Sequence, residues 1–183
     1  MRKNLTGLAV LLGIAGGLQV SGCVVLPPIT QQLPLGSSGT FEVEAGVPKV
    51  NTFSYGGFDA QGATFRTGSF KINPSAITVT PGGTSGKGAV NLQANTLTVE
   101  VRIAGAGEES TVCESGELYG PFSVELDENY NVVSIDPSSV TLKPSTVSLL
   151  NEGAVVLCIT VEASFDGVVS ISQFELTVSV QLG

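Results

Sequence analysis

Histidine and tryptophan are both missing from the 183 residues, and charge is scarce and one-sided. Without histidine no side chain has an ordinary pKa near neutrality, which excludes Ser-His-Asp and Cys-His catalysis and imidazole metal sites. Without tryptophan, a sugar-stacking platform loses its largest ring. Eight Lys and Arg stand against sixteen Asp and Glu. Phosphate backbones repel such a balance, so no nucleic-acid partner is expected. No segment keeps a helical apolar period for long, and no apolar run comfortably reaches the about 20 residues of a membrane span.

What is present begins with Met1-Arg2-Lys3, followed by an apolar run over residues 5–18 broken by Gly7, Gly13, Gly16 and Gly17. A positive start, a short apolar run and the small residues Ser21 and Gly22 are the three parts of an export signal. Val20-Ser21-Gly22-Cys23 resembles the lipobox of bacterial lipoproteins, an aliphatic residue and two small ones before a cysteine. The resemblance implies that Cys23 receives a diacylglycerol, that residues 1–22 are cut away, and that membrane lipid holds the protein through Cys23. Two or three acyl chains anchor stably where one is marginal, each buried methylene contributing about 0.8 kcal/mol. With Val24 after the cysteine, enteric-type sorting would not retain the protein at the inner membrane. The expected location is therefore lipid-anchored and exported, facing periplasm or exterior, with the outer membrane favoured in a Gram-negative cell. The competing reading is an uncleaved span over residues 5–26 in which Cys23 is incidental.

Cutting before Cys23 changes the rest of the reading. The sixteen acids all remain while Arg2 and Lys3 leave, so six cations give a net charge of −10. Cys113 and Cys158 become the only other cysteines in an oxidising compartment, each in a strand-like run, and a structural disulfide between them is expected. Two free thiols or a redox site are the alternatives, although redox pairs usually sit close in sequence. Residues 23–39 contain Pro27, Pro28 and Pro34 and end in Gly and Ser, and read as a lipidated cysteine plus tether. Fully stretched, that tether reaches about 50 Å. Pairing of part of it as an edge strand is the competing possibility.

From residue 40 to 183 the period is two. Leu97, Val99, Val101 and Ile103 form one stripe, and Phe122, Val124 and Leu126 another. A third runs through Val155, Leu157, Ile159, Val161 and Ala163, after which Asp166-Gly167 reads as a hairpin turn. Beyond it the apolar phase changes from Val169 and Ile171 to Phe174, Leu176, Val178 and Val180. A bulge near Ser172-Gln173 or a strand passing between sheets accounts for that. Residues 145–153 read as one short helix capped by Ser145 and ended by Gly153.

Residues 72–81 and 135–144 echo each other as turn, Pro-Ser, alternating strand and closing proline. The Ile-x-Pro-Ser-x-Val-Thr-Leu phrase is similar to the strand opening many bacterial immunoglobulin-like domains. The resemblance implies an all-β antiparallel β-sandwich, immunoglobulin-like or a related Greek key. One sandwich with related halves is preferred over two tandem half-domains in a surface stalk, because a spacing of 63 is short for two such domains.

Four stretches invite a chemical reading. Residues 82–88 look like a phosphate-binding loop but lack its first glycine (Pro81) and its Ser/Thr (Gly88), so a connection is expected. Asp127, Asn129 and Asn131 alternate oxygen groups as calcium loops do, without the glycine (Val132) or the distal glutamate (Ser138); a hairpin loop explains them as well. Glu108-Glu109, with Glu114 and Glu117, are the carboxylates a histidine-free hydrolase would use, and also what a solvated loop contains. Phe53, Tyr55, Phe58 and Phe65, beside Gly56 and Gly57, read as a shallow ligand-binding face or as core. No cofactor beyond calcium is implied. The expected function is a non-catalytic structural or binding role at the envelope, toward an envelope protein or glycan. An adhesin-like carbohydrate- or protein-binding module and a carboxylate hydrolase are the alternatives.

Overall fold

Period-two alternation becomes strand nearly everywhere it occurs. The computed structural model describes residues 26–58, 63–82 and 95–182. The export signal, Cys23 and most of the phosphate-loop-like stretch, from Gly83 onward, lie outside the described residues. The elements are β1 (Ile29–Pro34), β2 (Thr40–Val43), β3 (Lys49–Gly56), β4 (Ala63–Lys71), β5 (Ile77–Pro81) and β6 (Thr96–Gly105). They continue with α1 (Val112–Ser115), β7 (Glu117–Leu126), β8 (Val132–Asp136), β9 (Val140–Thr141) and α2 (Pro144–Asn151). The last strands are β10 (Ala154–Ala163), β11 (Gly167–Ile171) and β12 (Gln173–Leu182). The result is an all-β antiparallel sandwich.

Three hydrogen-bonded sheets form, ordered β1-β12-β4-β9, β2-β11-β5 and β3-β10-β6-β7-β8. The first two are successive stretches of the same three chain segments, because β1 leads into β2, β4 into β5, and β11 into β12. They meet at a seam. Two of the segments cross it through single helical turns, Gly36–Gly39 and Pro74–Ala76, whereas the third crosses with Ser172 alone. Ser172 holds the seam from both sides, its carbonyl accepting from Leu35 N–H at 2.9 Å and its own N–H donating to Ala76 O at 2.8 Å. One residue outside the ladder reverses which parity faces inward, so Val169 and Ile171 are buried before it and Phe174, Leu176, Val178 and Val180 after it. The phase change near Ser172 is thus a strand passing between sheets. At Gly39 a Cβ would collide with the Ile171 carbonyl, so the close approach of the two segments there demands glycine.

Inward side chains of all three sheets merge into one core running from Leu33 to Val180. At its centre Phe70 of β4 lies 4.8 Å, ring to ring, from Phe174 of β12 and 6.3 Å from Phe122 of the facing sheet. All three rings are fully buried; removing one such ring costs about 3–5 kcal/mol.

Several expectations need correction. Part of the tether is an edge strand, the competing possibility: residues 29–34 pair antiparallel with β12, from Ile29 against Val178 to Pro34 against Gln173, and Leu33 and Leu35 are buried. The folded body therefore begins near Leu26 rather than at residue 40. Proline does not prevent this, since β1 is an edge strand and Pro34 is its last residue. Asp166-Gly167 is not a hairpin turn, because β10 pairs with β3 and β6 while β11 pairs with β2 and β5. Residues 164–166 instead cross between sheets, with Ser164 N–H donating to Thr96 O and Gly82 N–H to Asp166 O. Both strands carry inward stripes that a shared core buries from opposite sides. Two tandem half-domains are also ruled out, since β10 lies between β3 and β6 and the main core takes side chains from all three sheets. The echoed phrases take different structures. Pro81 ends β5, whereas the second phrase yields the two-residue β9 and Pro144 opens α2.

The expected helix exists with a different start. Pro144 occupies its first turn, where a missing N–H costs nothing, and Lys143 is the cap residue without a capping side chain. Gly153, at φ +93°, follows its end. Ser145 does not cap; its hydroxyl donates to Glu117 Oε2 at 3.1 Å. The buried Tyr119 hydroxyl ties this helix to β7, donating to Thr146 Oγ1 at 2.6 Å and accepting from Lys143 N–H at 3.0 Å.

Candidate functional site

Cys113 and Cys158 are joined, closing 45 residues. Cys158 occupies β10 as expected, but Cys113 sits in the helical turn α1 rather than in a strand. The reason lies on the outer face of the five-stranded sheet. Val156 and Cys158 point away from the main core and are nevertheless buried, as are Ala104 and Val112. Together with Cys113 they form a second, small core. Residues 105–116 fold over this patch, with Val112 and Ser115 N–H groups donating to Glu108 O and Thr111 O. The disulfide fastens that flap to the central strand. At Gly116 a Cβ would collide with the Val112 carbonyl, so glycine permits the tight return into β7.

The aromatic face is not a binding face. Phe53, Phe58 and Phe65 are buried in the main core, as is Phe70. Tyr55 packs partly buried against the same core, and its hydroxyl donates to Pro34 O at 2.9 Å, linking β3 to the end of β1. Burial pushes its acidity strongly toward the neutral form. The glycines beside these rings mark the end of β3, where Gly57 and Phe58 N–H groups both donate to Gly153 O. Apolar rings on alternate residues of a half-buried strand belong to the core, which is the physical reason the ligand reading fails.

Asp127, Asn129 and Asn131 form the β7–β8 hairpin loop. Asp127 Oδ1 accepts from the N–H groups of Asn129 and Asn131, both at 2.8 Å, and Oδ2 accepts from Asn131 Nδ2 at 2.9 Å. These bonds, the Asn131 side chain first, hold the Asp127 carboxyl below its usual range. Both its oxygens thus serve the turn, and Tyr130 takes φ 62° at the tip. Among the described residues no three Cys, Asp or Glu side chains gather as a metal site.

The hydrolase candidates lie in the 105–116 flap (Glu108, Glu109, Glu114) and at the start of β7 (Glu117). Glu108 and Glu109 are exposed, with Glu108 Oε2 accepting from Gly105 N–H at 3.2 Å. Glu117 bonds Lys143 and Ser145, Lys143 being the larger influence, and its carboxyl is drawn down. Glu175 is likewise drawn down, by Asn73 and then Gln32. A glycosidase acid requires the opposite shift.

Among the described residues the outer face of β6, β7 and β8 forms a shallow groove of about 470 Å³. Thr96, Thr98, Ser123, Glu125, Ser134 and Asp136 line it, and Ser134 Oγ donates to Glu125 Oε2 at 2.8 Å. It offers hydroxyls and carboxylate acceptors on an open sheet surface. Nothing in the sequence reading singled it out, since alternate Thr and Ser on a strand are also what any wet sheet face carries. No protein-family model matches the chain, and no curated protein matches it.

Proposed function

We propose that the chain is an exported lipoprotein, anchored through acylated Cys23, whose sandwich serves a non-catalytic structural or binding role at a bacterial envelope. The observation that carries this reading is Val20-Ser21-Gly22-Cys23 behind a positively charged apolar leader. Two further observations support it. The Cys113–Cys158 disulfide suits an oxidising compartment. Among the described residues the carboxyls whose acidity the fold shifts, Glu117, Asp127 and Glu175, are drawn down and tied to neighbours, an arrangement suited to holding loops and strands in place.

The test is Cys23→Ser in the full chain with labelled fatty acid supplied to the cells. The wild type takes up label, loses residues 1–22 and stays with membranes. The variant takes up none and persists as an unprocessed, slower-migrating precursor. Equal processing and equal membrane retention of the two forms would refute the reading.

A further inference from the structure

The number of residues between Cys23 and the first bonded residue of the body constrains where the sandwich stands. Leu26 N–H donates to Val180 O at 3.2 Å, and pairing with β12 continues from Ile29 opposite Val178. From Leu26 onward the chain is committed to the edge of the four-stranded sheet. Two residues, Val24 and Val25, separate Leu26 from Cys23, and the three extended residue steps reach at most about 10–11 Å.

Resting on the lipoprotein reading, we infer that the sandwich is seated directly on the bilayer, the end of the four-stranded sheet at Leu26 and Thr64 facing the lipid headgroups. Reach holds that end nearest the surface. Thr64 pairs with Gln181 there, and Asn151 bonds Phe65, which brings the end of α2 alongside. The outer face of the five-stranded sheet carries Glu100, Glu125, Asp136 and Glu162 against Arg102. An anionic leaflet repels that face within a Debye length, so that face turns away from the surface. The nine residues from Gln181 to Ser172 place the seam about 30 Å farther out.

The experiment attaches a fluorophore to Thr64→Cys or Ser75→Cys, both exposed positions, in acylated protein reconstituted into vesicles of zwitterionic and anionic phospholipid bearing nitroxide headgroups. The Thr64 probe loses most of its emission and the Ser75 probe keeps it. A flexible insertion of about twelve Gly and Ser residues after Val25 restores the Thr64 signal. Equal quenching at both positions, or none at Thr64, on protein whose Cys23 acylation is confirmed by mass would overturn the seating while leaving the anchor intact. Protein whose Cys23 proves unacylated would overturn the lipoprotein reading and the seating with it.

Discussion

Breaking the Cys113–Cys158 link tests how the sandwich is fastened. Its two ends differ in surroundings: Cys158 is fully buried beneath α1, while Cys113 is half-buried in α1 itself. The suitable variant is therefore Cys113→Ser with Cys158→Ala, which avoids leaving a buried hydroxyl at position 158. The link closes 45 residues, and constraining a loop of that length in the unfolded chain contributes about 4 kcal/mol. For a domain of this size each kcal/mol shifts Tm by about 2–4 °C, so a fall of roughly 8–16 °C is expected. Calorimetry or circular dichroism on non-reduced wild type and the variant measures it. Hydrogen exchange locates it: below Tm the variant loses protection in residues 105–116, while Leu157, Ile159 and Val161, which face the main core, stay protected. A Tm within a degree or so of wild type, or loss of protection throughout β10 at low temperature, would refute this picture of a flap strapped over an independent core.

Three further perturbations probe other joints. Asn151 donates to Phe65 O and Val147 O and accepts from Phe65 N–H, standing beside β4 as a neighbouring strand would; Asn151→Ala should cost about 1–3 kcal/mol in denaturant unfolding. Gly39→Ala forces a Cβ into the Ile171 carbonyl at the seam and should cost a similar about 1–3 kcal/mol, and an unaltered unfolding midpoint would contradict the close approach. Hydrogen bonds from Lys143 and Ser145 hold the Glu117 carboxyl below its ordinary value, so its stabilising effect is whole above the unfolded carboxyl pKa and drains away as pH falls through the depressed folded value. Glu117→Gln should flatten the acid side of the stability–pH curve, and an unchanged slope would count against that pairing.

The alternation of Leu97 to Ile103 and of Phe122 to Leu126 was enough to mark strands that do form, and the pairing of Cys113 with Cys158 followed from removing Cys23 from the count. The break in phase beside Ser172 was visible too, but its nature was not. A bulge and a passage between sheets shift parity identically, and only the partners of β11 and β12 distinguish them. Asp166-Gly167 misled for a related reason: a short turn between two apolar stripes is consistent with strands that pair or with strands that face each other across a core. Residues 29–34 read as tether because Gln31, Gln32 and two flanking prolines hide an edge strand that buries only Leu33 deeply. The aromatics near Phe53 could be assigned to core only once the facing sheets were in place. The small outer core under α1 had no periodic signature, since Val112 and Cys113 belong to one helical turn and Val156 and Cys158 occupy what is elsewhere the wet side of a strand.

The central claim is the anchor, and the mass of the mature protein tests it most directly. Protein extracted from membranes in detergent, without reduction, should begin at Cys23, lack residues 1–22, and carry the added mass of a diacylglycerol on the first peptide. An intact Met1 terminus with an unmodified Cys23 would contradict the account.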